Sequence, residues 1–100
     1  EVFMTTLDIF ATVGEFAENK DIARQLRMEI ITPALQRGEE VTLDFTGVTG
    51  ATQSFIHALI SELFRIFGSA VLNRLNFKSC NETTRKVIAI VCDYMQEAER

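Results

Sequence analysis

The sequence has few of the residues that disulfide-rich, metal-binding or nucleophilic proteins depend on. Its 100 residues include two cysteines, one histidine and no tryptophan. Two cysteines are too few for a disulfide framework, and Cys80 and Cys92 lack the clustered His and Cys partners of a zinc site. We therefore expect free thiols, no metal and a reducing, cytoplasmic environment.

Long apolar runs and an excess of positive charge are also lacking. Polar or charged residues interrupt every apolar segment well before it reaches the roughly 18 uncharged residues that a membrane span needs. Ten Lys and Arg against fourteen Asp and Glu give a formal charge of -4, which repels phosphate backbones. We expect neither a membrane partner nor a nucleic-acid partner.

Enzyme signatures are missing as well. The chain has no Gly-rich phosphate loop, no His-Glu-x-x-His motif and no Cys-x-x-Cys pair. His57 and Ser54 share the polar stripe of one predicted helix with Ser61 and Arg65, opposite an apolar stripe that runs from Ile56 to Phe67. Neither an oxyanion hole nor a third orienting residue accompanies His57 and Ser54. The sequence therefore predicts a protein that is not an enzyme and binds no cofactor.

The composition is that of one folded domain. A hydrophobic content of 47% with one proline and five glycines is typical of a chain that buries a core. Independent domains run roughly 50 to 200 residues, so residues 1–100 are expected to form a single domain.

Strand-like and helix-like patterns alternate along the chain, which predicts a small α/β sandwich. A first strand is expected at Val2–Ile9, and the connection at residues 10–20 has room for a second short strand. The alternation of Val41, Leu43 and Phe45 with polar residues predicts a central strand. The remaining elements are predicted as a helix at Ile22–Arg37, a helix at Gln53–Phe67, a strand around Leu75–Phe77, and a final helix from an Asn81 cap to Ala98.

The first long helix contains the only proline. Asn19 or Asp21 can cap it, and apolar residues recur every four positions at Ile22, Leu26, Ile30 and Ala34. Pro33 removes the N–H that would bond the Glu29 carbonyl, so we expect a bend or a loosened last turn.

Hydroxyl side chains cluster between the central strand and the next helix, at Thr46, Thr49, Thr52 and Ser54. Such hydroxyls commonly cap helices. The same position also suits a bound phosphate, a partner's anionic group, or modification of a hydroxyl. Asp44 ends the central strand, where it can accept hydrogen bonds from the following turn or face a partner at the sheet edge.

The C-terminal part of the sequence contains both cysteines and a run of apolar residues with helical spacing. Cys80 precedes a helix, whose dipole can lower its pKa, while Cys92 is expected to be buried as a small hydrophobe. The apolar residues from Val87 to Met95 are expected to pack in the core or to pair with a second copy of the chain.

The stretch VTLDFTGVTGATQSFIHAL resembles the STAS domains of anti-sigma-factor antagonists, and more closely an uncharacterised STAS-like branch. The likeness is carried by Leu43, Asp44, Phe45, Gly47, Val48, Ser54 and Phe55. It implies a small STAS-like sandwich with a mixed sheet of about four strands covered by about three helices.

The resemblance also implies partner switching, in which the domain docks on a histidine-kinase-like ATPase or anti-sigma-type regulator and is released by phosphorylation of a serine. Counted from Asp44, the antagonist family's Asp falls on Thr52, its phosphoacceptor Ser on Gln53 and its second Ser on Ser54. Gln53 cannot be phosphorylated, so Thr52 or Ser54 would have to take over. Phe55 replaces the first glycine of the helix and is expected to alter the docking surface.

The partner-binding or regulatory set predicted from the sequence is Asp44, Thr49, Thr52, Gln53, Ser54, Phe55 and His57. Two alternatives stay open beside a protein partner. One is a domain that senses a small ligand or nucleotide, and the other is a structural domain that forms a homodimer.

Overall fold

The computed structural model describes residues 3–98, which form a three-stranded parallel sheet with helices packed on one side. The strands are β1 (Met4–Asp8), β2 (Phe16–Ala17), β3 (Glu40–Asp44), β4 (Gly50–Ala51) and β5 (Leu75–Lys78). The helices are α1 (Ile9–Val13), α2 (Lys20–Leu26), α3 (Thr32–Gln36), α4 (Gln53–Phe67) and α5 (Glu82–Ala98). A π-helical turn (Arg27–Ile31) joins α2 to α3, and a 3₁₀ helix (Ser69–Arg74) precedes β5.

The predicted α/β class is confirmed, and the strand arrangement differs from the expected mixed sheet. β3 lies between β1 and β5, and both pairings are parallel. A separate two-residue parallel ladder joins β2 to β4. Five short strands in two sheets therefore replace the predicted sheet of about four, and within residues 3–98 no two strands consecutive in sequence pair as a hairpin.

One face of the three-stranded sheet forms the floor of the core. Leu7, Leu43 and Phe77 are in register on this face, with Val41 and Leu75 beside them. On the opposite face Thr6 and Asn76 are exposed on either side of Thr42. The helices thus cover one face of the sheet.

The α4 helix has the predicted bounds and lies against that floor. Its buried side chains include Phe55, Ile56, Leu59, Leu63 and Phe64. Thr52 caps its N-terminus, and Gly68 ends it with φ +78°. Phe45, which directly follows β3, belongs to the same core as Phe55 and Phe64, and these three are the largest fully buried side chains described.

The first strand and the helix after it are shifted from their predicted bounds. Ile9 starts α1 instead of ending β1, and Val2 lies outside the described residues. The Asp8 carboxylate accepts a hydrogen bond from the Ala11 N–H at 3.2 Å, which starts this one-turn helix. The short strand allowed within residues 10–20 exists as β2.

The disturbance around Pro33 lies one turn earlier than predicted. The last turn, in α3, is regular, and the Thr32 N–H bonds to the Arg27 carbonyl five residues back. Since a proline ring crowds the turn that precedes it, the helix widens upstream of Pro33. The buried stripe accordingly steps by five residues, from Leu26 to Ile31, before Ala34 and Leu35.

We predict that Gly47→Ala destabilises the domain more than Gly38→Ala. Both glycines have a left-handed φ, +89° at Gly47 and +87° at Gly38. A Cβ on Gly47 would meet the Phe10 ring at 2.9 Å, whereas a Cβ on Gly38 meets nothing within 4 Å. Each variant should lose about 1 kcal/mol to backbone strain, with a further loss at Gly47 only. Urea unfolding of the pair measures the difference, and equal losses would contradict the ring contact.

We also predict that Thr84→Val stabilises the domain by about 1 kcal/mol. Thr84 is fully buried in α5, and its hydroxyl has no hydrogen-bond partner among residues 3–98. Valine keeps the shape and removes the unsatisfied group. The exposed neighbour provides a control, because Thr83→Val should leave the urea midpoint nearly unchanged. A lower midpoint for Thr84→Val would show that the hydroxyl is satisfied.

Candidate functional site

The Asp44 carboxylate organises the turn that leaves β3. Its Oδ1 accepts hydrogen bonds from the Thr46 hydroxyl at 2.6 Å and the Thr46 N–H at 2.9 Å. These bonds, with a smaller contribution from the Lys78 charge, hold the pKa of Asp44 below its usual range. Asp44 is half-buried, and its two hydrogen bonds from Thr46 shape the turn. This is the first of the two roles predicted for it, acceptance of hydrogen bonds from the following turn.

Thr49 is held from two sides. Its N–H and hydroxyl both donate to the Glu15 carbonyl, at 2.7 and 3.1 Å. The Asn81 side-chain amide donates to the Thr49 carbonyl at 2.7 Å, and Asn81 Oδ1 accepts from the Thr84 N–H at 2.8 Å. The predicted Asn81 cap is confirmed, and the same side chain ties the start of α5 to the loop before α4.

Thr52 is the N-cap of α4. Its hydroxyl accepts from the Phe55 N–H at 3.1 Å, and its own N–H donates to the Ala17 carbonyl at 2.9 Å. The side chain is half-buried, so its oxygen is committed to the helix start.

Ser54 differs from the three threonines before it. Within residues 3–98 its hydroxyl forms no hydrogen bond, and both Gln53 and Ser54 are exposed. They line a groove of about 670 Å³ between α2 and α4, at the end formed by the first turn of α4. Thr46 and Thr49 are exposed too, but their hydroxyls donate within the fold, so Ser54 is the one exposed hydroxyl of the four without a hydrogen bond in residues 3–98.

We call this cavity the α2–α4 groove. The α2 side and the π-helical turn contribute Lys20, Arg24 and Arg27. The α4 side contributes Gln53, Ser54, His57, Ala58, Ser61, Glu62 and Arg65. The Arg27 guanidinium donates to the Ala58 carbonyl at 2.8 Å and so fixes the two helices at the floor of the groove.

The groove is positively charged in an acidic protein. Four Lys and Arg side chains and one Glu line it, a formal charge of +3. Because the whole chain carries -4, the remaining residues carry -7. The lining of this cleft therefore carries net positive charge, whereas the rest of the chain is net negative.

Residues 23–85, more than half of the chain, match the family described as STAS-like domain of unknown function (DUF4325). The chain belongs to this family. The match includes β3, α4, β5 and most of the groove, and it confirms the STAS-like resemblance. No curated protein and no solved structure matches the chain.

Three α4 positions of the STAS-like domain differ from the simple polar and apolar stripes predicted. Phe55 is fully buried, so it offers no surface to a partner and affects docking only through the position of α4. Ser61 belongs to the predicted polar stripe of α4, which was expected to face solvent. It is only 4% exposed, because α2 packs against this side of α4. His57 is half-buried in the groove wall beside Ser54 and Ala58.

Burial raises the thiol pKa of both cysteines of the STAS-like domain. Burial raises the pKa of the Cys92 thiol to about 11, as expected for a core residue. Burial also raises the pKa of Cys80, so the lowering that a place before α5 can cause does not prevail. Desolvation of the thiolate outweighs the opposing charge of Arg85.

The α5 helix buries most of the residues on which a homodimer was predicted. Ile88, Val91 and Met95 lie in the core, and only Ile90 and Tyr94 of the neighbouring apolar side chains are widely exposed. Ile90 and Tyr94 are one helical turn apart on the same face, and two side chains form a small patch compared with the roughly 800 Å² per partner of a stable interface. This face therefore gives the homodimer little support.

The cationic side of the groove was missed from the sequence alone. Lys20, Arg24 and Arg27 recur at intervals of four and three, so they lie on one side of the helix. The helix thus has a charged stripe beside the apolar stripe from which it was predicted. That spacing was the available signal, although it does not reveal that α4 lies opposite.

Within residues 3–98, no group of three or more His, Cys, Asp and Glu side chains is placed to hold a metal ion. Among the described helices, none has the length and apolar character needed to cross a bilayer.

We predict that the stabilising effect of Asp44 depends on pH. The folded state lowers the pKa of Asp44, so the contribution is present at neutral pH and is lost as pH falls through the lowered pKa. Asp44→Ala should therefore reduce the urea midpoint at pH 7 and reduce it less at pH 3. Parallel urea titrations of both proteins measure this. A difference that stays constant between the two pH values would contradict a role for the ionised carboxylate.

Proposed function

We propose that this STAS-like domain is a non-enzymatic protein-interaction module that acts by regulated partner switching. The partner class implied by the STAS resemblance is a histidine-kinase-like ATPase or an anti-sigma-type regulator. The supporting observation is the exposure of the Ser54 hydroxyl at the edge of the cationic groove. The docking surface consists of Gln53, Ser54 and His57 with the adjoining wall of the α2–α4 groove.

Ser54 is the best candidate for the regulated position. Thr46, Thr49 and Thr52 use their hydroxyls within the fold, and Gln53 has no hydroxyl to modify. A kinase would reach Ser54 without unfolding the helix start, because the residue is exposed in the first turn of α4. Thr52, the other residue considered, is bound to the Phe55 N–H and is a poorer acceptor.

Phosphorylation would change the charge that a partner meets. A phosphoserine adds about two negative charges near pH 7. The lining charge of the α2–α4 groove would then fall from +3 to about +1. A partner selected for the positive groove would lose attraction and would also have to desolvate the new phosphate.

A non-enzymatic role agrees with the chemistry of the same surface. Ser54 and His57 line the groove without a carboxylate on the histidine, since the lining Glu62 is paired with Arg65 at 2.8 Å. A serine nucleophile needs an oriented base and an oxyanion site. We also propose a reducing, cytoplasmic setting, in which the free Cys80 and Cys92 thiols persist.

We predict that Ser54→Glu weakens partner binding at least tenfold, or about 1.4 kcal/mol, while the fold is retained. A glutamate in the first turn of α4 is compatible with the helix dipole. Thr83→Glu is the matched control, because Thr83 is exposed at the second position of α5 as Ser54 is in α4. Wild type and both variants would first serve as baits in source-cell lysate. The captured ATPase or regulator would then be purified and titrated calorimetrically against each bait.

The control separates a local effect from a change in net charge. Thr83→Glu should bind the partner within twofold of wild type, and Ser54→Ala should do the same. Equal affinities for Ser54→Glu and wild type would refute the switch at α4. Equal losses for both glutamate variants would assign the effect to overall charge. Thr52→Glu is unsuitable, since it removes the cap of α4.

A further inference from the structure

We propose that the α2–α4 groove is a binding site for a small ligand carrying two or more phosphate groups. This inference goes beyond partner switching, since it concerns a different class of ligand on a surface that extends away from Ser54 along α2. It rests on the number, spacing and availability of the groove's cations.

The cations form a row long enough for more than one phosphate. Lys20, Arg24 and Arg27 follow one side of the helix, and at 1.5 Å per residue they span about 10 Å. Arg65 and His57 face this row from α4. A single phosphate would engage part of the row, whereas a diphosphate group reaches neighbouring cations together.

Most of this positive charge is available. The Arg27 guanidinium donates to a backbone carbonyl and forms no ion pair within residues 3–98, so its other N–H groups remain as donors, although its charge also acts on Glu62. Arg24 pairs with Asp21 at 3.4 Å, but both side chains are largely exposed, so the pair is weak. Lys20 forms no ion pair within residues 3–98, and Glu62 is the groove's one carboxylate. That carboxylate is already bound to Arg65.

The donor set suits phosphate oxygens. Arginine presents a planar fork of N–H groups that binds phosphate through two parallel hydrogen bonds. The exposed Ser54 hydroxyl and Gln53 amide add neutral donors at one end of the groove. These groups would orient a phosphate as well as attract it.

The remaining features favour a small ligand over a macromolecule. The volume of about 670 Å³ lies within the range of small-molecule sites. Ala58 is the one apolar residue in the lining, so the groove lacks the aromatic or aliphatic pockets that anchor peptides. The residues outside the lining carry a net charge of -7. This charge repels an extended polyanion such as nucleic acid more strongly than a small anion that fits inside the groove.

Pyrophosphate is the simplest probe, because it has the required charge and no organic group. Calorimetric titration should detect one saturable site, and amide signals of residues 20–27 and 53–65 should shift in NMR spectra. The Lys20→Gln/Arg24→Gln double variant should bind pyrophosphate at least tenfold more weakly. Both side chains are exposed, so the variant should fold, which circular dichroism checks.

Arg85→Gln/Lys86→Gln is the matched control. It also removes two positive charges, but from exposed positions of α5 that lie outside the groove. Its affinity for pyrophosphate should stay within twofold of wild type. Titrations with adenosine, ADP and inorganic phosphate separate the contributions of the base and of each phosphate, and adenosine alone should not bind.

Several results would overturn the proposal. These are no saturable binding of pyrophosphate, equal weakening in the two double variants, and amide shifts outside the groove. A synthetic Glu-rich peptide that binds at the groove while pyrophosphate does not would instead indicate a protein ligand. None of these measurements uses the partner of the Ser54 switch, so the two proposals can fail separately.

Discussion

Burial of the apolar side of α4 in the core that it shares with the parallel sheet is the constraint on which the other features depend. Fully burying each Phe, Leu or Ile side chain contributes about 1.5–3 kcal/mol, and α4 buries at least six of them. This packing fixes the rotation of α4. Once Phe55 and Ile56 face the core, Ser54 and His57 must face α2, so the groove follows directly from the core.

The helix start is fixed by a second set of interactions that are mostly polar. Asp44 shapes the turn after β3, Thr49 is anchored to Glu15 and Asn81, and Thr52 caps α4. Three elements that are distant in sequence therefore meet at one loop. Since most hydroxyls in this loop complete its own hydrogen bonds, the loop positions Ser54 rather than forming a reactive cluster.

Local patterns predicted the elements whose causes are local. The alternation of Val41, Leu43 and Phe45 located β3, and the Thr52 cap and Gly68 bounded α4. Three outcomes depended on long-range contacts and could not be predicted from spacing. Ser61 is buried because α2 packs over it, Cys80 is desolvated by tertiary contacts, and Lys20, Arg24 and Arg27 form a site only because α4 lies opposite.

The π-helical turn at Arg27–Ile31 sets the direction in which the cations point. It accommodates one more residue than an α-helical turn, and each residue rotates a helix by about 100°. The turns before it are therefore rotated relative to α3, whose Ala34 and Leu35 are fixed in the core. A related chain shorter by one residue here would have α2 rotated by about 100° relative to α3, which would turn Lys20 and Arg24 away from α4 and carry Ala23 and Leu26 out of the core. The length of this turn thus encodes the orientation of the groove independently of the residues that line it.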